Sequence, residues 1–284
     1  MNIKYLILSI LIALAVLSCK KEEEQNDIVL QLDSELVVQE LKEQLVLNEV
    51  DEVAKKIESY IELDYSLVQI NDEFNCATVT VDTLVADSIG TDTLFFNIEY
   101  TFGACTPNFG SAKTGQIKIY RTGDFYGGLY YHKLITENFS VDTIGVNITQ
   151  TLNLVGFAAD SSRVYEKNSS STLQYINQST VARLELYRLT WLNGIETIND
   201  SADDEWIIEG QSEGITGEGI GFQKIITTPL LLVGNCKYYK SGVIELTPEG
   251  RVKRVMSFTD ENCVGKLTAE VGNLQEEILL KEEL

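Results

Sequence analysis

Five cysteines and one histidine have the most specific chemistry to offer in this 284-residue chain. Cys76, Cys105, Cys236 and Cys263 form an even set, which in an exported chain reads as a disulfide framework with three open connectivities. Thiols held in structural disulfides lack the low-pKa thiolate that reactivity needs. His132 is the single histidine, so any Ser-His-Asp site would have to use it. It lies in Tyr130-Tyr131-His132-Lys133, away from any nucleophile-elbow glycine pattern, and reads as a passive strand residue. Multi-histidine zinc sites are excluded by count. With 43 Asp and Glu residues, no glycosidase pair can be singled out. Asp200, Asp203, Asp204 and Glu205 carry the hard oxygen ligands that Ca²⁺ takes, but without EF-hand spacing they read as a solvated acidic loop. Trp191, Trp206 and Tyr130 are the candidate ligand-facing aromatics, able to stack on a sugar or line a hydrophobic cavity; strand aromatics are more often core. The sequence shows no catalytic constellation, metal site or cofactor motif.

The fifth cysteine has a different setting. Residues 1–18 carry Lys4 and an apolar run from Tyr5 to Leu17, short for a membrane span and of signal-peptide form. The run ends in Val16-Leu17-Ser18-Cys19, which looks like a bacterial lipobox with Cys19 as the lipidation site. Residues 19–33 then form an acidic tether, opening on a Lys20-Lys21-Glu22-Glu23-Glu24 run that resembles the surface-export signal of Bacteroidetes-type lipoproteins. The expected location is the bacterial cell envelope, lipid-anchored at the outer membrane on its surface or periplasmic side. A net charge of −21 argues against nucleic acid and against electrostatic docking on anionic lipid.

These residues need elements to position them. Residues 34–63 lack Pro and Gly, and Val46, Val50, Val53, Ile57, Tyr60 and Ile61 recur at helical spacing. The segment is expected to be helical, with Asn48 or Asp51 as a point where it could break in two. Residues 74–284 turn to period two and predict a disulfide-stapled antiparallel β domain. Pairing Cys76 with Cys105 sets Val79, Val81 and Val85 opposite Phe102, Tyr100 and Phe96. Pairing Cys236 with Cys263, around a Glu249-Gly250 turn, sets Ile244 opposite Val255 and Val243 opposite Met256. Residues 160–178, polar around Ser169-Ser170-Ser171, read as a loop or a short strand between loops. Asn193-Gly194 reads as a hairpin turn into a strand over 195–198. The fold class is mainly β: an antiparallel meander forming a strongly twisted, half-rolled sheet or a sandwich, with the N-terminal helix packed on it.

Cys76-Ala-Thr-Val-Thr-Val-Asp82, Ile98-Glu-Tyr-Thr-Phe-Gly-Ala-Cys105 and Lys113-Thr-Gly-Gln-Ile-Lys-Ile119 resemble uncharacterised Bacteroidetes-type cell-envelope lipoproteins with Cys-framed β-hairpins. The second framed segment, ending Phe258-Thr-Asp-Glu-Asn-Cys263, lacks the glycine of that pattern. The resemblance implies structural motifs and no catalytic residue. Five Asp-Ser/Thr-apolar triplets, at Thr83, Ser88, Thr93, Thr143 and Ser201, resemble the O-glycosylation acceptor of Bacteroidetes-type exported proteins. The expected role is a binding or structural lipoprotein that is not an enzyme. A carrier of lipid or another hydrophobic ligand, with the helix as lid, is the second expectation, and a glycan-binding protein or carbohydrate-active enzyme the third. The partners are the membrane through Cys19 and a glycan, hydrophobic ligand or envelope protein.

Overall fold

The computed structural model describes residues 35–61, 63–84, 93–100, 111–125, 127–197, 200–234, 236–260 and 262–280. The signal segment, Cys19, the tether, Ser88 and Cys105 lie outside them.

Helix α1 covers residues 35–61 without a break. The two expected breakers are occupied elsewhere. Asn48 Oδ1 accepts from Gln44 Nε2 at 3.2 Å, and Asp51 pairs with Lys167 across the core. Neither side chain competes for the helix backbone. A second helix, α2 (Leu67–Phe74), was not anticipated from the sequence. Its signal was a capping box: the Ser66 side chain accepts from Gln69 N–H while the Gln69 side chain accepts from Ser66 N–H.

The strands are β1 (Ala77–Leu84), β2 (Thr93–Tyr100), β3 (Lys113–Gly123), β4 (Tyr130–Val141), β5 (Ile144–Phe157), β6 (Arg163–Gln174) and β7 (Thr180–Asn193). They continue as β8 (Glu205–Ile215), β9 (Gly221–Val233), β10 (Ser241–Pro248), β11 (Arg254–Thr259), β12 (Lys266–Val271) and β13 (Leu274–Leu279). All thirteen form one sheet in sequence order. Every neighbour is antiparallel, and the sheet does not close into a barrel. The expected half-rolled meander is therefore the fold. Its inner face follows the helix. Leu47, Val50, Val53, Ile57 and Tyr60 of α1 pack in one apolar cluster with β1–β7, and Val37 and Leu41 in another with β7–β13. Bulges give the sheet its bends. At the one between Ile208 and Gln211, Gly210 has φ +131° and a Cβ would lie 2.1 Å from Leu186 O, so only glycine fits.

Several details differ from the sequence reading. In the first hairpin Val81 faces Phe96 and Val79 faces Ile98, a slip of four residues along β2. An even slip leaves every side chain on its own face, so alternation does not distinguish the two registers. The true one sets Asp82 opposite Phe95 rather than Glu99, removing a like-charge pair. The ladder ends at Ala77–Tyr100, so direct pairing does not oppose Cys76 and Cys105; Cys76 is nonetheless disulfide-bonded. In the second hairpin Ile244 faces Met256, one residue off the expectation, because β11 rejoins β10 only at Leu246–Arg254 and the loop exceeds two residues. Of the two readings of residues 160–178, the strand between loops holds: β6 runs from Arg163 to Gln174 between two turns, longer than expected, as a central strand with a polar inner face. Ile195 and Glu196 lie in a turn, and the chain reaches β8 through a short 3₁₀ turn, Ser201–Asp203.

The Cys236–Cys263 disulfide is present, with Cα atoms 5.0 Å apart. It joins the loops that precede β10 and follow β11, outside the ladder. Cross-linking residues 27 apart in sequence is expected to stabilise the domain by about 3 kcal/mol. Urea melts of the Cys236→Ser/Cys263→Ser variant should show that loss, with an m-value no smaller than wild type because the freed denatured chain is less compact; an unfolding free energy equal to wild type would refute it.

Candidate functional site

Helix α1 is amphipathic in an unusual sense, because much of its polar face is buried too. Glu40, Glu43 and Glu58 are all under one-tenth exposed. Their partners project from inward-facing strand positions. Arg183 on β7 donates to Glu40 at 3.0 Å and also to Glu43, and Lys224 on β9 donates to Glu40 at 2.8 Å. Lys113 on β3 meets Glu49 at 2.7 Å, Lys167 on β6 meets Asp51 at 2.5 Å, and Arg121 on β3 meets Glu58 at 2.7 Å. Burial works against every one of these charges, and the partners decide the balance. Burial alone would raise Glu40, but Arg183 and Lys224 hold it below the ordinary carboxylate value. Glu43 goes the other way: burial, with the charge of Glu40 added, outweighs Arg183 and raises it. Burial would lower Lys167, but Asp51 and Glu185 leave it raised.

Between the helix and the middle of the sheet lies a cavity of about 560 Å³, within the range of small-molecule sites. One part of its wall is apolar, with Leu45 and Ala54 from α1 facing Leu152, Leu189, Ile208 and Leu232 from the sheet. Another part is polar: Asp51, Glu58, Tyr130, His132, Gln150 and Lys167. A cross-strand row organises this polar wall, because Arg121 faces His132, His132 faces Leu152, Leu152 faces Lys167 and Lys167 faces Tyr187 across adjacent strands. A smaller cavity of about 70 Å³ shares Glu52, Lys55, Lys56, Phe125 and Trp206 with the large one.

His132 is 3% exposed. Its Nδ1 lies 2.9 Å from Tyr130 Oη, and Tyr130 Oη donates to Glu58 Oε1 at 2.8 Å. Burial lowers the imidazole to about 4, with Lys167 and Arg121 opposing protonation and Asp51 favouring it only in part. Burial and the Glu58 carboxylate push the Tyr130 phenol well above its ordinary value. The ring is thus neutral at pH 7, and this buried chain of groups is what the passive-strand reading of His132 missed. The signal was positional: His132 shares the inward phase of β4 with Tyr130 and Leu134, and an inward histidine on a wall with Lys167 calls for partners.

The other candidates scatter. Trp206 and Tyr130 line the large cavity, whereas Trp191 lines only the small one. Trp191 and Trp206 are 4% and 6% exposed and stack on each other at 4.8 Å, so they present no open sugar platform. The acidic loop divides into separate tasks. Asp200 accepts from Ala202 N–H, Asp203 accepts from Thr197 Oγ1, and Asp204 is buried and raised by that burial to about 6. Among the described residues no three metal-ligating side chains converge. Thr83, Thr143 and Ser201 are exposed; Thr93 is half-buried, its hydroxyl 3.0 Å from that of Thr122. No helix among the described residues is long and apolar enough to cross a membrane.

Comparison with protein-family models, with curated proteins and with solved structures finds no match for the chain.

The His132 environment has a measurable sign. Its folded pKa lies below the unfolded value of 6.5. As pH falls from 6.5 toward 4, the unfolded chain takes up a proton that the folded chain refuses, and stability is lost through that window. The single-histidine ¹³Cε1 resonance should not titrate between pH 8 and 5. His132→Leu should lose less stability than wild type over the same window, by up to about 3 kcal/mol. A titration midpoint near 6.5 in the folded protein would contradict this.

Proposed function

We propose that this chain is an envelope lipoprotein that holds a small amphiphilic ligand, a lipid or another hydrophobic molecule, between α1 and the concave face of its sheet. The observation that carries the reading is the cavity of about 560 Å³ beneath the helix, with an apolar wall and a polar wall. Cores usually close-pack, and a space of this size in the middle of a 13-stranded sheet is a large departure from that density. The carrier reading is favoured over glycan binding because Trp191 and Trp206 are buried against each other. It is favoured over hydrolysis because Glu40, Glu43 and Glu58 lie on one helix, each bound to a cation, rather than facing one another across a cleft. The lipobox at Cys19 and the acidic tether support anchoring to the outer membrane, with Thr83, Thr143 and Ser201 as the candidate O-glycosylation hydroxyls most exposed among the described residues.

Nile red, an uncharged dye that brightens in apolar surroundings, probes the cavity. Wild type should bind it, and Leu152→Trp and Leu189→Trp, which fill the space, should bind at least about tenfold more weakly while keeping the wild-type circular dichroism. Equal binding by both filled variants would overturn the carrier reading. Mass spectrometry of the protein extracted from its native membranes tests the covalent part. An acylated N-terminal peptide starting at Cys19 and glycan mass on the Asp-Ser/Thr peptides are expected; an unacylated N-terminus or unmodified peptides would remove the corresponding claim.

A further inference from the structure

Among the described residues the open sheet ends in two edge strands, β1 and β13. An edge strand shows a row of backbone N–H and C=O groups that can take a strand from another molecule. The two edges are unlike. β13 carries Glu276 and Glu277 at its middle. Two copies of it paired antiparallel about that middle would set Glu276 opposite Glu277, a like-charge pair. β1 carries no such repulsion. Thr78, Val79, Thr80, Val81 and Thr83 make it a β-branched run, well suited to pairing. Two copies of β1 paired antiparallel about Val81 would set Thr80 opposite Asp82 and Val79 opposite Thr83, with no like charges facing.

A side chain occupies this edge instead. Asn71 Oδ1 accepts from Val79 N–H at 2.7 Å, and Asn71 Nδ2 donates to Val79 O at 3.0 Å. One carboxamide thus meets both backbone groups, as a paired residue on a neighbouring strand would. Backbone groups alternate sides along an antiparallel strand, so Val81 and Thr83 aim theirs to the same outer side as Val79. The local sequence brings the amide there. Ile70 and Phe74, one helical turn apart, bury the inner face of α2 in the cluster that also holds Ala77 and Val79 of β1. The Ser66 capping box starts the helix, and Asn75, at φ +51°, ends it and turns the chain into β1. In this reversal Asn71 comes level with Val79, and its Nδ2 also donates to Leu67 O at 2.9 Å, which steadies the amide.

We propose that α2 is an edge guard: Asn71 takes the outward hydrogen-bonding groups of Val79 and so keeps a second copy of the chain from adding its own β1 to this edge. The β1 edge is thus a latent interface between copies, closed by a contact within the chain. The two edges are protected by different means, charge at β13 and a side-chain amide at β1. The inference is independent of the reading of the cavity.

Light scattering of the full chain in detergent, corrected for bound detergent, tests this. Alanine is a better helix former than asparagine, so Asn71→Ala keeps α2 while opening the edge. Its protein mass should rise with concentration to about twice that of wild type measured alongside, as for a two-fold dimer. Adding Val81→Pro, which removes an outward N–H and leaves the ladder to β2 intact, should restore the wild-type mass. If that double variant loses the wild-type circular dichroism, Thr83→Pro in the Asn71→Ala background carries the same comparison. A wild-type mass for Asn71→Ala at every concentration would overturn the proposal. So would a mass increase that survives the proline, since it would come from another surface.

Discussion

The burial of helix carboxylates against sheet cations is the interaction on which the structure depends. An open sheet of thirteen antiparallel strands has an inner face that cannot cover itself. Helix α1 covers it, and does so with charge as well as with apolar surface. Glu40, Glu49, Asp51 and Glu58 reach β7 and β9, β3, β6, and β3 again, so the contacts are spread around the curve of the sheet. Removing one partner from such a pair strands the other charge in the interior, at a cost of about 3–5 kcal/mol. Apolar packing alone would tolerate a helix turned about its axis or slid by a turn. Four acidic residues matched to particular cations do not, so the ion pairs fix the register of helix on sheet more than they add to stability.

That arrangement also explains why a cavity persists. Where the inner face is apolar, side chains of helix and sheet pack into the two clusters. In the middle strands the inward positions include Gln150, Lys167, Ser169, Ser171, Glu185 and Ser212, which either need a polar partner or are too short to fill space. Lys167 and Gln150 both reach Asp51, holding the helix at the distance their side chains set. The helix cannot settle further onto Leu152, Leu189 and Ile208 without displacing those polar contacts. The void is thus a by-product of the same polar wall that would recognise a guest.

The fold class was legible because its signals are periodic. Val50, Val53, Ile57 and Tyr60 repeat at helical spacing, and all are buried. The strands of β5 and β7 alternate over long stretches. What the sequence hid was of two kinds. Registers that differ by an even slip share every face, so the Val79–Val81 hairpin looked equally good four residues away from its true pairing. The polar inner wall gives no apolar signal, so residue type does not mark its members as inward. In a chain of net charge −21, Glu40, Glu43 and Asp51 look like surface, and Ser169-Ser170-Ser171 looks like a loop. The discriminating sign was phase. Lys167, Ser169 and Ser171 share the inward phase of β6 with Tyr165 and Leu173, and Arg183 and Glu185 share that of β7 with Val181 and Tyr187.

The ion pairs also limit how a guest could enter. A lid that swung away from the sheet would break the Glu40, Glu49, Asp51 and Glu58 pairs together and expose the two apolar clusters beneath it. Entry at the flank of α1 asks for much less. Lys55 and Glu52 are among the more exposed residues of the helix, paired with each other at 3.7 Å, and a solvated pair of this kind is worth little. Both line the large cavity and the small one beside it, and the Lys55 ammonium lies 5.8 Å from the centre of the Trp206 ring. Rotamer changes at Lys55 and Glu52 would widen this flank while leaving the Glu40, Glu49, Asp51 and Glu58 pairs in place. The side of the helix that carries Lys55, next to the Trp191–Trp206 stack, is therefore the mouth that the energetics favour, and α1 is better regarded as a fixed beam across the sheet than as a hinged lid.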